Sequence, residues 1–181
     1  HAGFEHLPDP QGRRLFAFLG STIGNFDRPQ AVALLTELCA KMRNGDLLLL
    51  GADRVKEKSV LLAAYNDAAG VTAAFNLNVL RVLNRELDAD FELECFDHQA
   101  HYNEDARQME MYLIAGREQT ATLRAIDVEM SLKSGERILT EISRKFTLED
   151  LTGLLHDAGF TLAAHYEPEN GYFSLILATP S

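Results

Sequence analysis

A chain of 181 residues accommodates one domain, or one domain carrying an insertion, and its apolar fraction of 46% is enough for a packed core, which excludes a disordered polypeptide. The formal net charge of -10 repels phosphate backbones and excludes nucleic acid as a partner. No apolar run is long enough to span a bilayer, the longest being Leu47-Leu48-Leu49-Leu50, and no signal-peptide pattern is read, so neither a membrane nor a secreted location is expected.

In chain order, Leu15-Phe16-Ala17-Phe18-Leu19 is a continuous apolar run that predicts a strand covered on both faces. It ends in a loop of small residues, Gly20-Ser21-Thr22-Ile23-Gly24-Asn25. Asp27 and Pro29 then mark a helix start, Val32, Leu35, Leu38, Cys39 and Met42 form its apolar stripe, and Gly45 ends it. Leu47 to Leu50 reads as a second buried strand, and strand, crossover helix and strand make a parallel β-α-β unit. Because the chain opens at His1 and runs almost at once into a strand, it reads as a piece of something longer.

Residues 54–145 have a different character. Leu61, Ala64, Tyr65 and Ala68 share one helical face, and Phe75, Val79, Val82 and Leu83 share another. Strand-like runs follow over Asp90 to Tyr102, Arg107 to Ala115, Thr120 to Asp127, Val128 to Lys133 and Glu136 to Phe146, with Ser134-Gly135 as a hairpin turn. This region is expected to be an α+β insertion packed over the end of the parallel sheet. The chain then returns to its first style. Thr147 with Asp150 predicts a helix start, Leu148, Leu151, Leu154 and Leu155 line one face, and Gly159 stops the helix. Thr161 to His165 and Tyr172 to Leu177 form an antiparallel strand pair around a short turn. Cys39 and Cys95 are read as reduced core residues, which fits a cytoplasmic protein.

Ligands of open α/β sheets bind beyond the carboxyl ends of the strands. The loop Gly20 to Asn25 lies at such an end, with glycines that permit close backbone approach and an asparagine that both donates and accepts; a plain polar turn is the other reading. Glu141 and Ser143 are two apart in a strand and face the same side, so together they can grip a heterocycle bearing N–H groups, or simply form a solvated, salt-bridged face. Met109 and Met111 are either core or the padding of an adaptable pocket. Asp53 either points at a ligand or caps the next helix. The acidic run Asp88, Asp90, Glu92 and Glu94 is read as a solvated strand face. His98 and His101, three apart in a strand, point to opposite faces and do not chelate one metal, so no metal is expected.

Phe18-Leu19-Gly20-Ser21-Thr22-Ile23-Gly24-Asn25 resembles the histidine-specific methyltransferase family, the L-histidine Nα-methyltransferases of ergothioneine biosynthesis. The likeness continues through Leu50 to Lys56, the unusual run Ala64-Tyr65-Asn66-Asp67-Ala68-Ala69-Gly70-Val71-Thr72-Ala73-Ala74-Phe75-Asn76, Asn84-Arg85-Glu86-Leu87, Met109-Glu110-Met111 and Thr140-Glu141-Ile142-Ser143-Arg144-Lys145-Phe146. It implies an α/β fold: a partial Rossmann-like class I methyltransferase sheet formed by residues 1–53 and 146–181, with residues 54–145 as an α+β substrate-binding insertion. It implies S-adenosylmethionine as cofactor and methylation of the α-amino group of L-histidine, toward trimethylhistidine. By the same resemblance, Asn25 and Tyr65 hold the carboxylate and amino group of the substrate. Gly20 places its carbonyl near the amine, Glu141 and Ser143 bind the imidazole nitrogens, and Met111 shapes the ring pocket. Phe4 and Gly20 are the candidate cofactor contacts. The glycine-rich cofactor loop and acidic ribose-binding residue of the family lie upstream of this region, so the cofactor site is expected to be incomplete here. No general base is assigned. Two rivals remain at this point: a related N-methyltransferase acting on another aromatic amino acid, and a non-catalytic amino-acid-binding portion.

Overall fold

The computed structural model describes residues 11–181, so Phe4 lies outside the described residues. The chain falls into two units: one built from residues up to 56, 106–108 and 143–181, the other from residues 57–105 and 109–142.

In the first unit, β1 (Leu15–Phe18) and β2 (Leu47–Asp53) pair in parallel, with Leu15 opposite Leu47 and Phe18 opposite Leu50. Between them runs helix α1 (Arg28–Lys41). Its start is a reciprocal cap: the Asp27 carboxylate accepts the Gln30 amide at 2.8 Å, and the Gln30 side chain accepts the Asp27 amide at 3.1 Å. Such a cap satisfies amides that the first turn leaves without intrahelical partners, and is worth about 1 kcal/mol. Helix α4 (Leu148–Asp157) starts in the same way on Thr147 and Asp150. The chain ends in β8 (Phe160–Tyr166) and β9 (Phe173–Pro180), which are antiparallel, and β9 pairs with β2. The sheet order is β1-β2-β9-β8. The expected α/β arrangement, a parallel β-α-β unit finished by an antiparallel hairpin, is therefore present. Leu35, Leu48, Leu50, Phe146, Leu151, Leu155 and Ile176 form its core.

Two expectations fail here. β1 is not covered on both faces among the described residues: it is an edge strand with alternating exposure, and Leu15 is 55% exposed. The cysteines are free but only half-buried. Cys39 packs against the margin of the core and donates its thiol to the Gly159 carbonyl at 3.3 Å, and burial pushes the thiol pKa up.

The second unit opens with helices α2 (Lys58–Tyr65) and α3 (Val71–Glu86). Strands β3 (Phe96–Asn103), β4 (Gln108–Ala115) and β7 (Arg137–Arg144) form a three-stranded sheet in the order β3-β4-β7. Strands β5 (Gln119–Leu123) and β6 (Val128–Leu132) form a separate antiparallel pair. β7 carries the chain from this unit into the first.

Several sequence expectations are corrected in this unit. Phe75 and Val79 do not face the interior of α3; they are 65% and 39% exposed, and the buried positions are Asn76 and Leu80. The inward face is set by a polar residue whose partners lie on other elements, which hydrophobic periodicity does not register. Asp90 to Cys95 is not a strand, because the Asn84 side chain bonds both backbone groups of Phe91 and the Asp90 carboxylate takes the Thr122 amide. The acidic run is accordingly not a solvated strand face: Asp90 pairs with Arg124 and Glu92 with Arg117. The hairpin turn is at Arg124–Asp127, where Asp127 adopts φ +53, and not at Ser134-Gly135, which leads from β6 to β7 in a different sheet. No helix among the described residues is long and apolar enough to cross a membrane.

Candidate active site

The loop after β1 reverses through two successive left-handed residues, Gly20 at φ +78 and Ser21 at φ +59. Glycine adopts this conformation without penalty, whereas serine pays a steric cost that its surroundings must offset. The offset is visible: Ser21 Oγ accepts the Asp53 amide at 2.8 Å, which ties the loop to the carboxyl end of β2. A short 3-10 turn (Thr22–Asn25) follows, with Ile23 and Gly24 buried and Asn25 exposed at its end. Gly24 packs against the backbone of Arg144, the residue after Ser143. The asparagine-bearing turn is thus seated on the end of the strand that carries Ser143.

Asp53 neither caps a helix nor stands open to a ligand. One carboxylate oxygen accepts from Lys56 Nζ at 2.5 Å, and the other accepts from Lys145 Nζ at 2.9 Å. Lys145 also donates to Ser143 Oγ at 2.9 Å. Its side chain is 1% exposed, and Ser143 is buried. Glu141, Ser143 and Lys145 occupy alternate positions on and just beyond β7, hence one face.

In the second unit, Glu141 opens onto a cleft of about 210 Å³ lined with Phe75, Asn76, Asn78, Val79 and Thr140. Glu141 is half-buried rather than extended into bulk solvent. Beneath it runs a buried polar network. His98 Nε2 lies 2.9 Å from the Tyr65 carbonyl, which only accepts, so this nitrogen carries the proton. His98 Nδ1 therefore accepts from the Asn76 amide at 2.9 Å, and that amide also donates to the Tyr112 carbonyl. Asn76 Oδ1 in turn accepts from Thr140 Oγ1, which also lies 2.9 Å from the Met111 carbonyl. The network fixes the backbone of Tyr65 and Met111 and the strand bearing Glu141. Tyr65 ends α2 half-buried against Leu61, Ala100, Tyr102 and Met109, and Met111 is fully packed. Nearby, the buried Glu110 carboxylate accepts from Asn103 and from the Tyr112 hydroxyl at 2.6 Å; accepting that proton raises the Tyr112 pKa.

Gly20, Asn25 and Ser143 thus belong to the first unit, and Tyr65, Met111 and Glu141 to the second. The sequence reading missed Lys145 and Ser21, and treated His98 only as a metal candidate. A lysine two residues beyond a serine in a strand was the available signal for Lys145. Among the described residues no group of three or more His, Cys, Asp or Glu gathers to hold a metal. As for S-adenosylmethionine, the carboxylate at the end of β2 does not fit as the acid that binds ribose hydroxyls, because two ammonium groups already occupy it.

The family model for histidine-specific, S-adenosylmethionine-dependent methyltransferases matches residues 1–180. A histidine N-alpha-methyltransferase of Mycolicibacterium smegmatis is 47% identical over 167 residues, which are 92% of this chain and 52% of that relative. One from Mycobacterium tuberculosis is 46% identical over 176 residues, 96% of this chain and 55% of that relative. The chain spans about half the length of these curated relatives. Among solved structures, an S-adenosylmethionine-dependent methyltransferase from Clostridium acetobutylicum aligns with a TM-score of 0.48 at 10% identity, covering 98% of this chain and 62% of that chain. On the match over residues 1–180, this chain belongs to the histidine-specific, S-adenosylmethionine-dependent methyltransferase family.

Proposed function

We propose that the chain is the substrate-binding part of an enzyme that methylates the α-amino group of L-histidine. The observation that carries this reading is the pair Glu141 and Ser143 on one face of β7, the first at a cleft and the second buried. A carboxylate accepts from an imidazole N–H in a charge-assisted bond, and a hydroxyl complements the other ring nitrogen. Asn25 and Tyr65 would hold the carboxylate and amino group, Gly20 would offer its carbonyl to the amine, and Met111 would bound the ring. Residues 54–145 would form the insertion that selects the substrate.

S-adenosylmethionine, when bound, supplies an electrophilic methyl group. The task of this chain is to present an uncharged amino nitrogen in line with it and to exclude water. Rate enhancement then comes mainly from orientation. An imidazole N–H offers a carboxylate a charge-assisted hydrogen bond that a phenyl ring cannot supply, and that difference favours histidine. The test is methyl transfer by the full-length protein from S-adenosylmethionine to a panel of free amino acids, read by mass spectrometry. Methylated histidine as the dominant product is expected; preferential methylation of another amino acid, or of none, defeats the reading.

A further inference from the structure

We infer that His98 is a positioning residue: its Nε2–H group holds the last carbonyl of α2 and so sets where Tyr65 stands for the substrate. This rests on the assignment of Tyr65 to the substrate made above, and every residue involved belongs to the second unit.

Helix α2 has only 8 residues, and no side-chain hydrogen bond caps its start. A helix this short depends on tertiary contacts, and its ends fray without them. Tyr65 is its final residue, and the carbonyls of a last turn have no amide of their own helix to accept from. His98 Nε2 takes that place from β3, 2.9 Å from the Tyr65 carbonyl oxygen. Two positions along the same strand, the Ala100 amide donates to Asn66 Oδ1 at 3.4 Å, so β3 holds the end of α2 at two points.

The ring can do this only if Nε2 carries the proton, and two backbone carbonyls on different elements require it. The Asn76 amide nitrogen lies 3.1 Å from the Tyr112 carbonyl of β4 and must be its donor, which fixes the orientation of that amide. The same nitrogen lies 2.9 Å from His98 Nδ1, so Nδ1 accepts and the proton falls to Nε2. On the other side of the ring, the Tyr65 carbonyl makes the same demand. The other tautomer would direct an N–H group at the Asn76 amino group. Turning the amide over to receive it would set the Asn76 oxygen against the Tyr112 carbonyl. Asn76 is 3% exposed, and its oxygen accepts from Thr140 Oγ1 at 2.5 Å, so packing and bonding hold the same orientation. Asn76, on α3, thereby acts on the end of α2 through the histidine ring.

The experiment measures methyl transfer to histidine by variants of the full-length protein. His98→Asn puts its amide at the Nδ1 end of the ring, keeping an acceptor for Asn76 and giving up the bond to Tyr65. His98→Gln reaches the Nε2 end and keeps a donor for Tyr65. His98→Asn is expected to raise KM for histidine about five- to tenfold, the worth of one hydrogen bond, with kcat nearly unchanged. His98→Gln should bring KM back to within about twofold of the wild type. In a Tyr65→Phe background, which lacks the phenol hydroxyl, His98→Asn should raise KM no further, because the coupling runs through Tyr65. A merely structural role would shift KM by the same factor in both backgrounds. That result, or an unchanged KM in an active His98→Asn enzyme, overturns the inference. If no His98 variant folds, ¹⁵N NMR of the wild type decides. A protonated Nε2 with a bare Nδ1 on His98 supports the inference, and a protonated Nδ1 overturns it. Tyr65→Phe with the KM of the wild type would instead defeat the assignment of Tyr65 to the substrate, a failure recognised without any change at His98.

Discussion

Gly24 faces the backbone of Arg144 so closely that a Cβ built on it would stand 2.8 Å from the Arg144 carbonyl oxygen and 3.1 Å from its amide nitrogen. Neither atom belongs to a side chain able to turn away. The contact holds the Asn25 turn against the end of β7, so the geometry of one depends on the other. Gly24→Ala is expected to destabilise by about 1–3 kcal/mol, the usual cost of overpacking a close-fitting site. It should also lower methyl transfer in the full-length protein by displacing Asn25. Urea unfolding measures the first effect; a midpoint and slope equal to those of the wild type would show that the backbone yields without strain.

Removing the amide of Asn76 should cost more than its size suggests. In Asn76→Ala, His98 Nδ1 and the Tyr112 carbonyl lose a donor, and Thr140 loses an acceptor, in a buried network. Each orphaned buried group costs about 1–3 kcal/mol, part of which water recovers. A loss of about 2–4 kcal/mol is expected on that basis, together with a higher KM for histidine because Thr140 adjoins Glu141 on β7. Asn76→Ala with wild-type stability would mean that the network contributes nothing net.

The parts of the fold that sequence revealed are those with local causes. The caps at Asp27 and Thr147 were legible because cap and partner lie three residues apart, and the terminal hairpin because its turn is short. The inward face of α3 was not legible: Asn76 is polar, and its partners His98, Tyr112 and Thr140 lie 22, 36 and 64 residues away. The same holds for Lys145. Alternation alone places it with Glu141 and Ser143, but its buried ion pair is with Asp53, 92 residues away, which the sequence reads as either a ligand contact or a helix cap. The two-stranded β5-β6 pair was misjoined because Ser134-Gly135 is a stronger turn signal than Arg124–Asp127, where a non-glycine residue takes the left-handed conformation.

Glu141→Gln keeps the shape of the side chain and removes its charge. Charge-assisted hydrogen bonds contribute about 1.5–3 kcal/mol, so kcat/KM for histidine is expected to fall about ten- to hundredfold on that scale. Discrimination against phenylalanine should narrow in parallel, since the variant gives up the charge-assisted bond that only the imidazole can make. Competition between the two amino acids in one reaction measures the ratio directly. Equal selectivity in variant and wild type would remove Glu141 from the recognition of the ring.

Acid should loosen the first unit at a joint remote from this chemistry. Asp46, at the start of β2, accepts from the Arg14 guanidinium at 2.6 and 3.0 Å and from the Arg14 and Arg43 amides, and these bonds, led by the Arg14 side chain, hold its pKa down to about 2. In the unfolded chain the same group titrates near about 3.9. A carboxylate whose folded pKa is depressed stabilises the fold fully above its unfolded pKa and loses that contribution as pH falls through the folded value. Asp67 behaves alike in the second unit: the Thr72 and Val71 amides at the start of α3 bring it to about 2. Stability owed to either group should therefore be constant from neutral pH to about 4 and disappear toward 2. Asp46→Asn is expected to be less stable than the wild type at pH 7, with the gap closing as pH falls from about 4 to 2. Urea midpoints across that range test the sign: a gap that stays constant or widens on acidification would mean that the Arg14 pairing does not survive in solution.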